Sequence, residues 1–292
     1  MASASTVDCQ LTAFNQHSDL PIVDLRSEAD FVKAHIKNSS HFPAAEIATR
    51  LHELPKRNHP IRLCGSAEQL RLAENLLEKK GFQVAAKLEW NTIITARLQK
   101  LDLLVQGIQS KRLWSPAPIV ERFHRQFLET DFLKPPLIKS ALDIGCGSGR
   151  DSVYLAQQGW QVNSIDYLPG ALDKLADLAK NNHVNVNGMM IDLQDSSNPL
   201  DEIQQQFDLI LVVRYLHRPL LPQIKQKIKR GGYVVYQTFM QGCEAFGKPK
   251  NPKFLLKPGE LAQIFSDFEI LLDEVEYLED GRPTNVFIAK NR

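Results

Sequence analysis

The stretch Asp143-Ile-Gly145-Cys-Gly147-Ser-Gly149-Arg-Asp151 decides how this chain is read. An apolar run, Ala141–Ile144, precedes it and reads as a buried strand. A helical pattern, Asp151–Gln158, follows it. Glycines at 145 and 147 let a backbone turn sharply and approach a ligand without a Cβ in the way. A strand, a glycine-rich turn and a helix in that order make a phosphate- or nucleotide-type turn at the end of a parallel strand. The plain alternative is a tight turn among solvated acids.

Strand patterns recur outward from this turn at Gln161–Ile165, Gly188–Ile191, Phe207–Val213 and Gly232–Phe239. Helical patterns at Gly170–Asn181 and Leu220–Lys229 separate them. This alternation predicts a parallel, doubly wound sheet. Two further strand patterns, Phe268–Leu278 and Asn285–Ala289, have no helix between them and predict an edge hairpin. Asp166 closes the strand after the glycine turn, and Asp192 closes the next. Carboxylates at the carboxyl ends of neighbouring strands line one crevice. One at Asp166 can accept hydrogen bonds from both hydroxyls of a ribose.

The chain has 292 residues, 43% of them hydrophobic and 24% charged. That is globular composition, and the length suggests two domains. Lys and Arg number 35 against 34 Asp and Glu, a formal net charge of +1. No global basic field gathers nucleic acid or an anionic membrane. The opening MASASTVDCQLTAF lacks a basic segment followed by an apolar core, so no secretory signal is expected there. No run approaches the ~20 apolar residues of a membrane span. Cysteines at 9, 64, 146 and 243 are too scattered for a disulfide framework or a zinc site. A cytoplasmic protein without a metal is expected.

The first hundred residues read as a smaller α/β domain. Leu20–Leu25, Ile61–Cys64 and Gln83–Leu88 are strand-like. Ser27 can cap a helix through SEADFVKAHI, with Phe31, Val32 and Ile36 on its apolar side. Ala44–Leu54 reads as a helix stopped by Pro55. In Ala67–Lys80, Leu70, Ala73, Leu76 and Leu77 make one apolar helix face, which Gly81 ends. Prolines in Trp114–Pro118 and Lys134–Pro136 argue against one long helix between the halves. The expected division is a domain at 1–105, a linker and capping helix at 106–135 with a helix over Ile119–Leu128, and a domain at 136–292.

Asp-x-Gly-x-Gly-x-Gly at 143–149 resembles the first motif of class I methyltransferases, which bind S-adenosylmethionine. That family has a Rossmann-like, seven-stranded sheet. The resemblance implies that Asp143 and Gly145, with Cys146, Gly147 and Gly149, lie by the methionine part. It implies that Asp166 holds the ribose with Tyr167 beside it, and that Asp192 and Leu193 face the adenine. Val213-Arg-Tyr-Leu-His-Arg-Pro-Leu220 follows the fourth strand, where this family places its acceptor side, with Val213 at the cofactor. Gly231-Gly-Tyr-Val-Val-Tyr-Gln-Thr-Phe239 looks like the family's fifth strand after its Gly-Gly turn, and Phe246–Pro252 with Phe254–Glu260 looks like the tellurite-resistance type of bacterial methyltransferase. Arg214, Tyr215 and His217 are the expected acceptor-side residues. His217 is the candidate base, or else a packing histidine. Arg214 and Arg218 bind an anionic acceptor or pair with surface acids. Residues 240–257 are expected to cover the acceptor. Asn-Pro-Pro-Tyr, the signature of adenine and glutamine N-methylation, is replaced here by Val212-Val-Arg-Tyr215.

Ile22-Val-Asp-Leu-Arg26, Phe31–Ile36, His41-Phe-Pro43, Ile61-Arg-Leu-Cys64, Lys80-Gly-Phe82 and Leu88-Glu-Trp90, in that order, resemble a rhodanese-like domain. The resemblance makes Cys64 the sulfur carrier, in a short loop before a helix. Gly65–Leu70 departs from the family's usual donor-rich loop, and Glu68 disfavours a nearby thiolate. Cys64 is therefore either a buried strand-end residue or a weak, partner-specific carrier.

The leading expectation is a methyltransferase that moves the methyl of S-adenosylmethionine to a small molecule, sulfur- or chalcogen-bearing acceptors included, with an appended rhodanese-like domain. Either Cys64 delivers that acceptor or the first domain is a docking scaffold. The runner-up is a rhodanese-type sulfurtransferase with a regulatory S-adenosylmethionine-binding half. A third class is a sensor that binds S-adenosylmethionine without turnover.

Overall fold

The structure is a computed structural model that describes residues 4–128, 139–194 and 198–292. The chain divides into two units, Met1–Trp114 and Ser115–Arg292.

In the first unit the elements run α1 (Ala4–Asn15), β1 (Ile22–Asp24), α2 (Glu28–Lys33), β2 (His35–Ile36), β3 (Ser39–His41), β4 (Ile61–Gly65), α3 (Ala67–Lys79), β5 (Val84–Glu89), α4 (Thr92–Lys100) and β6 (Leu104–Val105). A parallel sheet of order β3-β1-β4-β5 carries the core, and β2 pairs with β6 as a small antiparallel ribbon. Leu63, Leu70, Ala73 and Leu77 pack together in one of its two apolar clusters. Ser66 and Gln69 form a reciprocal capping box at the head of α3.

Three expectations for this unit differ from the structure. The helix begun at Ser27 ends at Lys33, because Ala34 is extended and Ile36 pairs with Leu104 on β6. Ala44–Leu54 forms successive turns and a short 3-10 helix at Leu51–Glu53, not one α-helix. The Thr49 hydroxyl and amide both bond the Glu46 carbonyl, an arrangement that competes with the α-helical ladder. Residues after 105, expected as the start of a linker, stay on the first unit. Gly107 donates to the Val32 carbonyl, Lys111 donates to the Ser39 carbonyl, and Leu113 packs on the core. Helices α1 and α4 go beyond the sequence reading.

The second unit begins with α5 (Pro118–Phe123), which continues as a π turn over His124–Leu128. Residues 129–138, which include Lys134–Pro136 and the expected boundary at 136, lie outside the described residues. Then follow β7 (Ser140–Ile144), α6 (Arg150–Gln157), β8 (Gln161–Asp166), α7 (Pro169–Asn181), β9 (Val186–Met190), β10 (Phe207–Val213), α8 (Leu221–Lys227), β11 (Ile228–Phe239), α9 (Glu260–Ile264), β12 (Glu269–Tyr277) and β13 (Pro283–Lys290). They form a seven-stranded sheet of order β12-β13-β11-β10-β7-β8-β9. The five strands from β7 to β11 are parallel, and β13 runs antiparallel to both its neighbours.

Both faces of this sheet are covered. Ile210 and Val212 of β10 enter one core, while Leu209 and Leu211 enter the other. That is why the strand is apolar without alternation. Strand order reverses at β7, between β8 and β10, and a crevice opens at the carboxyl ends of these strands. Among the described residues no helix is long and apolar enough to cross a membrane.

The first unit depends on a buried ion pair. Arg26 donates Nε and Nη2 to the two oxygens of Asp24, at 2.9 and 2.6 Å, and its guanidinium lies 3.5 Å from the centre of a Trp90 ring. Asp24→Asn leaves that guanidinium without its counter-charge. The expected loss is about 3–5 kcal/mol, read as a lower urea midpoint for the unfolding of this unit.

Candidate active site

The glycine turn after β7 is shaped by what it touches. Gly145 has φ +72, and a Cβ built there would sit 3.1 Å from Cβ and Cγ of Tyr215. Gly149 has φ +79, and its Cβ would fall 2.0 Å from Cδ1 and 3.0 Å from Cβ of Leu175 on α7. Both positions therefore need glycine for conformation and for space. Gly145 and Cys146 both donate to the Ile165 carbonyl at 2.9 Å, which fastens the turn to β8.

The three acids at the strand ends have different surroundings. Asp166 is 8% exposed; its oxygens accept from the Gly147 amide at 2.9 Å and the Leu168 amide at 3.0 Å. Each oxygen keeps capacity for a further donor. Asp192 is exposed and accepts from the Gln194 amide at 2.9 Å. Asp143 lies under the turn and is 2% exposed, with Ser152 donating to it and Ser164 donating to Ser152. Burial, then the nearby Asp151 and Asp166, push its carboxyl up to about 8. Asp151 is also raised, by burial above all, although the Ala117 amide donates to it at 2.6 Å. Cys146 is half-buried, and burial with Asp143 and Asp166 drives its thiol upward.

A cavity of about 330 Å³ opens at this crevice. Gly145, Asp166, Tyr167, Asp192 and Leu193 line it, as do Leu168, Ile191 and Gln194, which the sequence reading missed. Their signal was adjacency, since each stands within two residues of a strand-end acid. Val213 is placed elsewhere and packs against the core on the face of Leu209 and Leu211.

A second cavity, of about 640 Å³, lies beside the first. Phe239 and Thr238 at the end of β11 line it, with Lys248, Pro249, Lys250, Asn251 and Phe254 from the 240–257 segment. Arg214 and Tyr215 line both cavities. Arg214 has φ +58, a region that strains a residue with a Cβ and is commonest at functional sites. Its amide donates to the Gln237 carbonyl at 2.7 Å, and its side chain is exposed. The Tyr236 hydroxyl donates to the Tyr215 carbonyl at 2.9 Å. Burial raises the Tyr215 hydroxyl, and Asp192 and Asp166 raise it further against an opposing bond to Gln194. It therefore stays a neutral hydroxyl.

Beyond the shared wall, the acceptor-side residues divide. His217 stands at the head of a 3-10 turn, and its carbonyl accepts from the Leu220 amide at 3.0 Å. Arg218 is a clamp: Nε and Nη2 bind Glu260 at 2.6 and 2.9 Å, and the same guanidinium bonds the carbonyls of Lys253 and Leu255. Burial alone would raise Glu260, but Arg218 and the Lys257 amide hold its carboxyl below the ordinary value. Arg218 thus anchors the segment that carries Phe254 and is not free for an anion. Among the described residues, no three His, Cys, Asp or Glu converge on a metal position.

In the first unit Cys64 lies inside β4, not in a loop, and is fully buried. Only Gly65 and Ser66 separate it from α3. The Ser66 amide is consumed by the Gln69 side chain at 2.8 Å, and the Ser66 hydroxyl is consumed by the Gln69 amide. Burial pushes the Cys64 thiol well up, and Asp24 adds to the rise.

The doubly wound sheet carries a glycine turn and a strand-end acid, Asp166, at its switch point, the arrangement of a nucleotide-type site. The family model for Tellurite resistance protein TehB matches residues 120–282, and the chain belongs to this family of S-adenosylmethionine-dependent methyltransferases. Residues 9–89 match the rhodanese-like domain. "Uncharacterized protein UNK4.09" of Schizosaccharomyces pombe is 21% identical, over 93% of this chain and 94% of that one. The "probable S-adenosyl-L-methionine-dependent methyltransferase TehB" of Haemophilus influenzae is 28% identical over 44% of this chain. The match spans 46% of that relative's length. The crystal structure of TehB from Haemophilus influenzae superposes with a TM-score of 0.46 at 21% identity, over 60% of this chain and 67% of that one.

The burial of Cys64 is open to a direct check. In the folded protein a thiol reagent such as iodoacetamide should modify the exposed Cys9 and leave Cys64 unlabelled until denaturant is added. Peptide mass mapping that finds Cys64 alkylated as fast as Cys9 would contradict this placement.

Proposed function

We propose that the protein transfers a methyl group from S-adenosylmethionine to a small-molecule acceptor. The observation that carries this reading is the pair of cavities that meet at Arg214 and Tyr215. The smaller one fits the donor. Its glycine turn leaves space that a Cβ at Gly145 would fill, and the Asp166 carboxylate retains capacity for two more donors. Asp166 would hold the ribose hydroxyls, and Leu193 with Ile191 would face the adenine. The cationic methionine end suits a site underlain by Asp143 and Asp151. When bound, the cofactor supplies an electrophilic methyl carbon on a sulfonium. The chain's part is alignment: the Arg214–Tyr215 wall separates donor from acceptor, and the segment held by Arg218 covers the acceptor side.

The rhodanese-like unit is proposed as a scaffold and not as a sulfurtransferase, because Cys64 is fully buried and the donors that follow it are already paired. Four free cysteines suit a reducing compartment and support a cytoplasmic location.

Two measurements check the donor site. Asp166→Ala should weaken S-adenosylmethionine binding by about 2–4 kcal/mol through two lost charge-assisted hydrogen bonds. Gly145→Val should abolish binding. Calorimetry that shows native affinity in both folded variants would sink the assignment. The second measurement is pH dependence. In the free protein the Asp143 carboxyl is raised to about 8, and a cationic ligand favours its ionised form. Binding should therefore release protons and tighten from pH 6 to pH 8. By the same linkage, the ligand-free fold binds more protons than the unfolded chain between the ordinary carboxylate pKa and about 8. Its stability should fall as pH rises through that window. Affinity that is flat over this range would remove Asp143 from the donor site.

A further inference from the structure

The larger cavity has a lining that restricts the chemistry of its guest. Its buried floor is Leu216 and Thr238, with half-buried Phe239 beside them and Phe254 at the edge. Its charged side chains are Arg214, Lys248 and Lys250, all exposed at the rim and all cationic. No carboxylate, imidazole or thiol lines it among the described residues. The nearby acids are engaged elsewhere: Glu260 with Arg218, Asp280 with Arg282, and Glu244 with the Gly242 amide. Tyr215 is held neutral, as argued above. The site thus offers positive charge and apolar surface, but no group to accept a proton.

A methyl acceptor must present a lone pair. An amine of ordinary pKa ~10.4 is protonated at neutral pH and is repelled by three cations. A phenol of ~10 needs a base that the cavity lacks. A carboxylate is already ionised, but its oxygen is a weak nucleophile toward a sulfonium methyl; among strong nucleophiles a thiol of ~8.5 is the closest to ionisation, and neighbouring cations bring it down further. We propose, on the methyltransferase reading above, that the acceptor is an organic thiol bound as its thiolate. Its apolar body rests against Phe239, Leu216 and Phe254, and its charge faces Arg214, Lys248 and Lys250. The proton leaves to solvent when the thiol binds. The thiolate sulfur then forms a bond to the methyl carbon as the bond from that carbon to the sulfonium breaks. The electron pair stays on the donor sulfur, so anion and cation become two neutral thioethers and no oxidant or further reactant is needed.

The test uses the full chain with benzyl mercaptan and with benzyl alcohol, benzylamine, phenol and phenylacetate as matched probes. The first readout needs no donor. Thiolate absorbance of benzyl mercaptan, titrated with and without protein, should show an apparent pKa at least one unit lower when bound. A Lys248→Gln, Lys250→Gln double variant, checked for folding by circular dichroism, should reverse most of that shift. The second readout is product: with S-adenosylmethionine present, mass spectrometry should find methyl benzyl sulfide, at least ten-fold ahead of any other probe's product. Binding of the thiol without a shift, or faster methylation of an oxygen or nitrogen probe, overturns the thiolate proposal and leaves the donor site standing. Failure to bind S-adenosylmethionine by calorimetry overturns the methyltransferase reading itself, while the donor-free titration still reports on the cavity.

Discussion

The contact between Gly145 and Tyr215 sets the architecture of the site. The turn after β7 and the segment after β10 leave neighbouring strands at the point where the sheet reverses its order. They meet so closely that a Cβ at 145 would lie 3.1 Å from Tyr215. This contact makes Tyr215 a wall and not a flap. One side of the wall faces Asp166; the other faces Phe239 and the 248–254 segment. The same wall carries the strained backbone of Arg214, whose amide bond to Gln237 on β11 holds the left-handed conformation in place. A donor and an acceptor that meet across such a wall approach along one line, which is the requirement of a displacement at carbon.

Electrostatics divides the site in the same way. Asp143, Asp151, Asp166 and Asp192 gather around the glycine turn; burial raises Asp143 and Asp151, and for Asp143 the neighbouring Asp151 and Asp166 add to the rise. Lys248 and Lys250 stand on the other side, and Arg214 lines both cavities. Acids on the donor side suit a cation, and cations on the acceptor side suit an anion. A displacement that joins a sulfonium to an anionic nucleophile removes both charges as it proceeds. On the proposed reading such a site stabilises its two reactants apart, so the chemistry depends on alignment and on the exclusion of water more than on added charge stabilisation.

The parallel core was legible in the sequence because burial on both faces writes unbroken apolar runs, as in Phe207–Val213, and because Gly145–Gly149 marks the strand-to-helix turn. The strand-end acids were legible for the same reason, since a charge that ends an apolar run stands out. What escaped depends on distance in space. Ile36 follows a capped helical pattern, yet it pairs with Leu104. Thr238 and Phe239 belong to the second cavity only because β11 ends beside β10. Arg218 looked equivalent to Arg214 by type and position. Only the structure shows Glu260 and two carbonyls already satisfying it.

On the proposed scaffold reading, fold and chemistry separate within the rhodanese-like unit. Its ordered matches, from Ile22 to Trp90, follow residues that build a parallel sheet and its buried Asp24–Arg26 pair. Sulfur transfer makes a further demand: an accessible thiolate cradled by free amide donors. Here β4 continues through Gly65, α3 starts at Ala67, and the capping box takes the Ser66 amide. A cap of this kind stabilises a helix start by about 1 kcal/mol. It is therefore a stabilising feature of the fold, placed where an active loop would keep its donors open. Cys64 then behaves as a small apolar residue facing Asp24, and the raised thiol is a consequence of burial, not a sign of reactivity. A stable strand end and helix start in this segment suit the proposed scaffold better than a sulfur carrier.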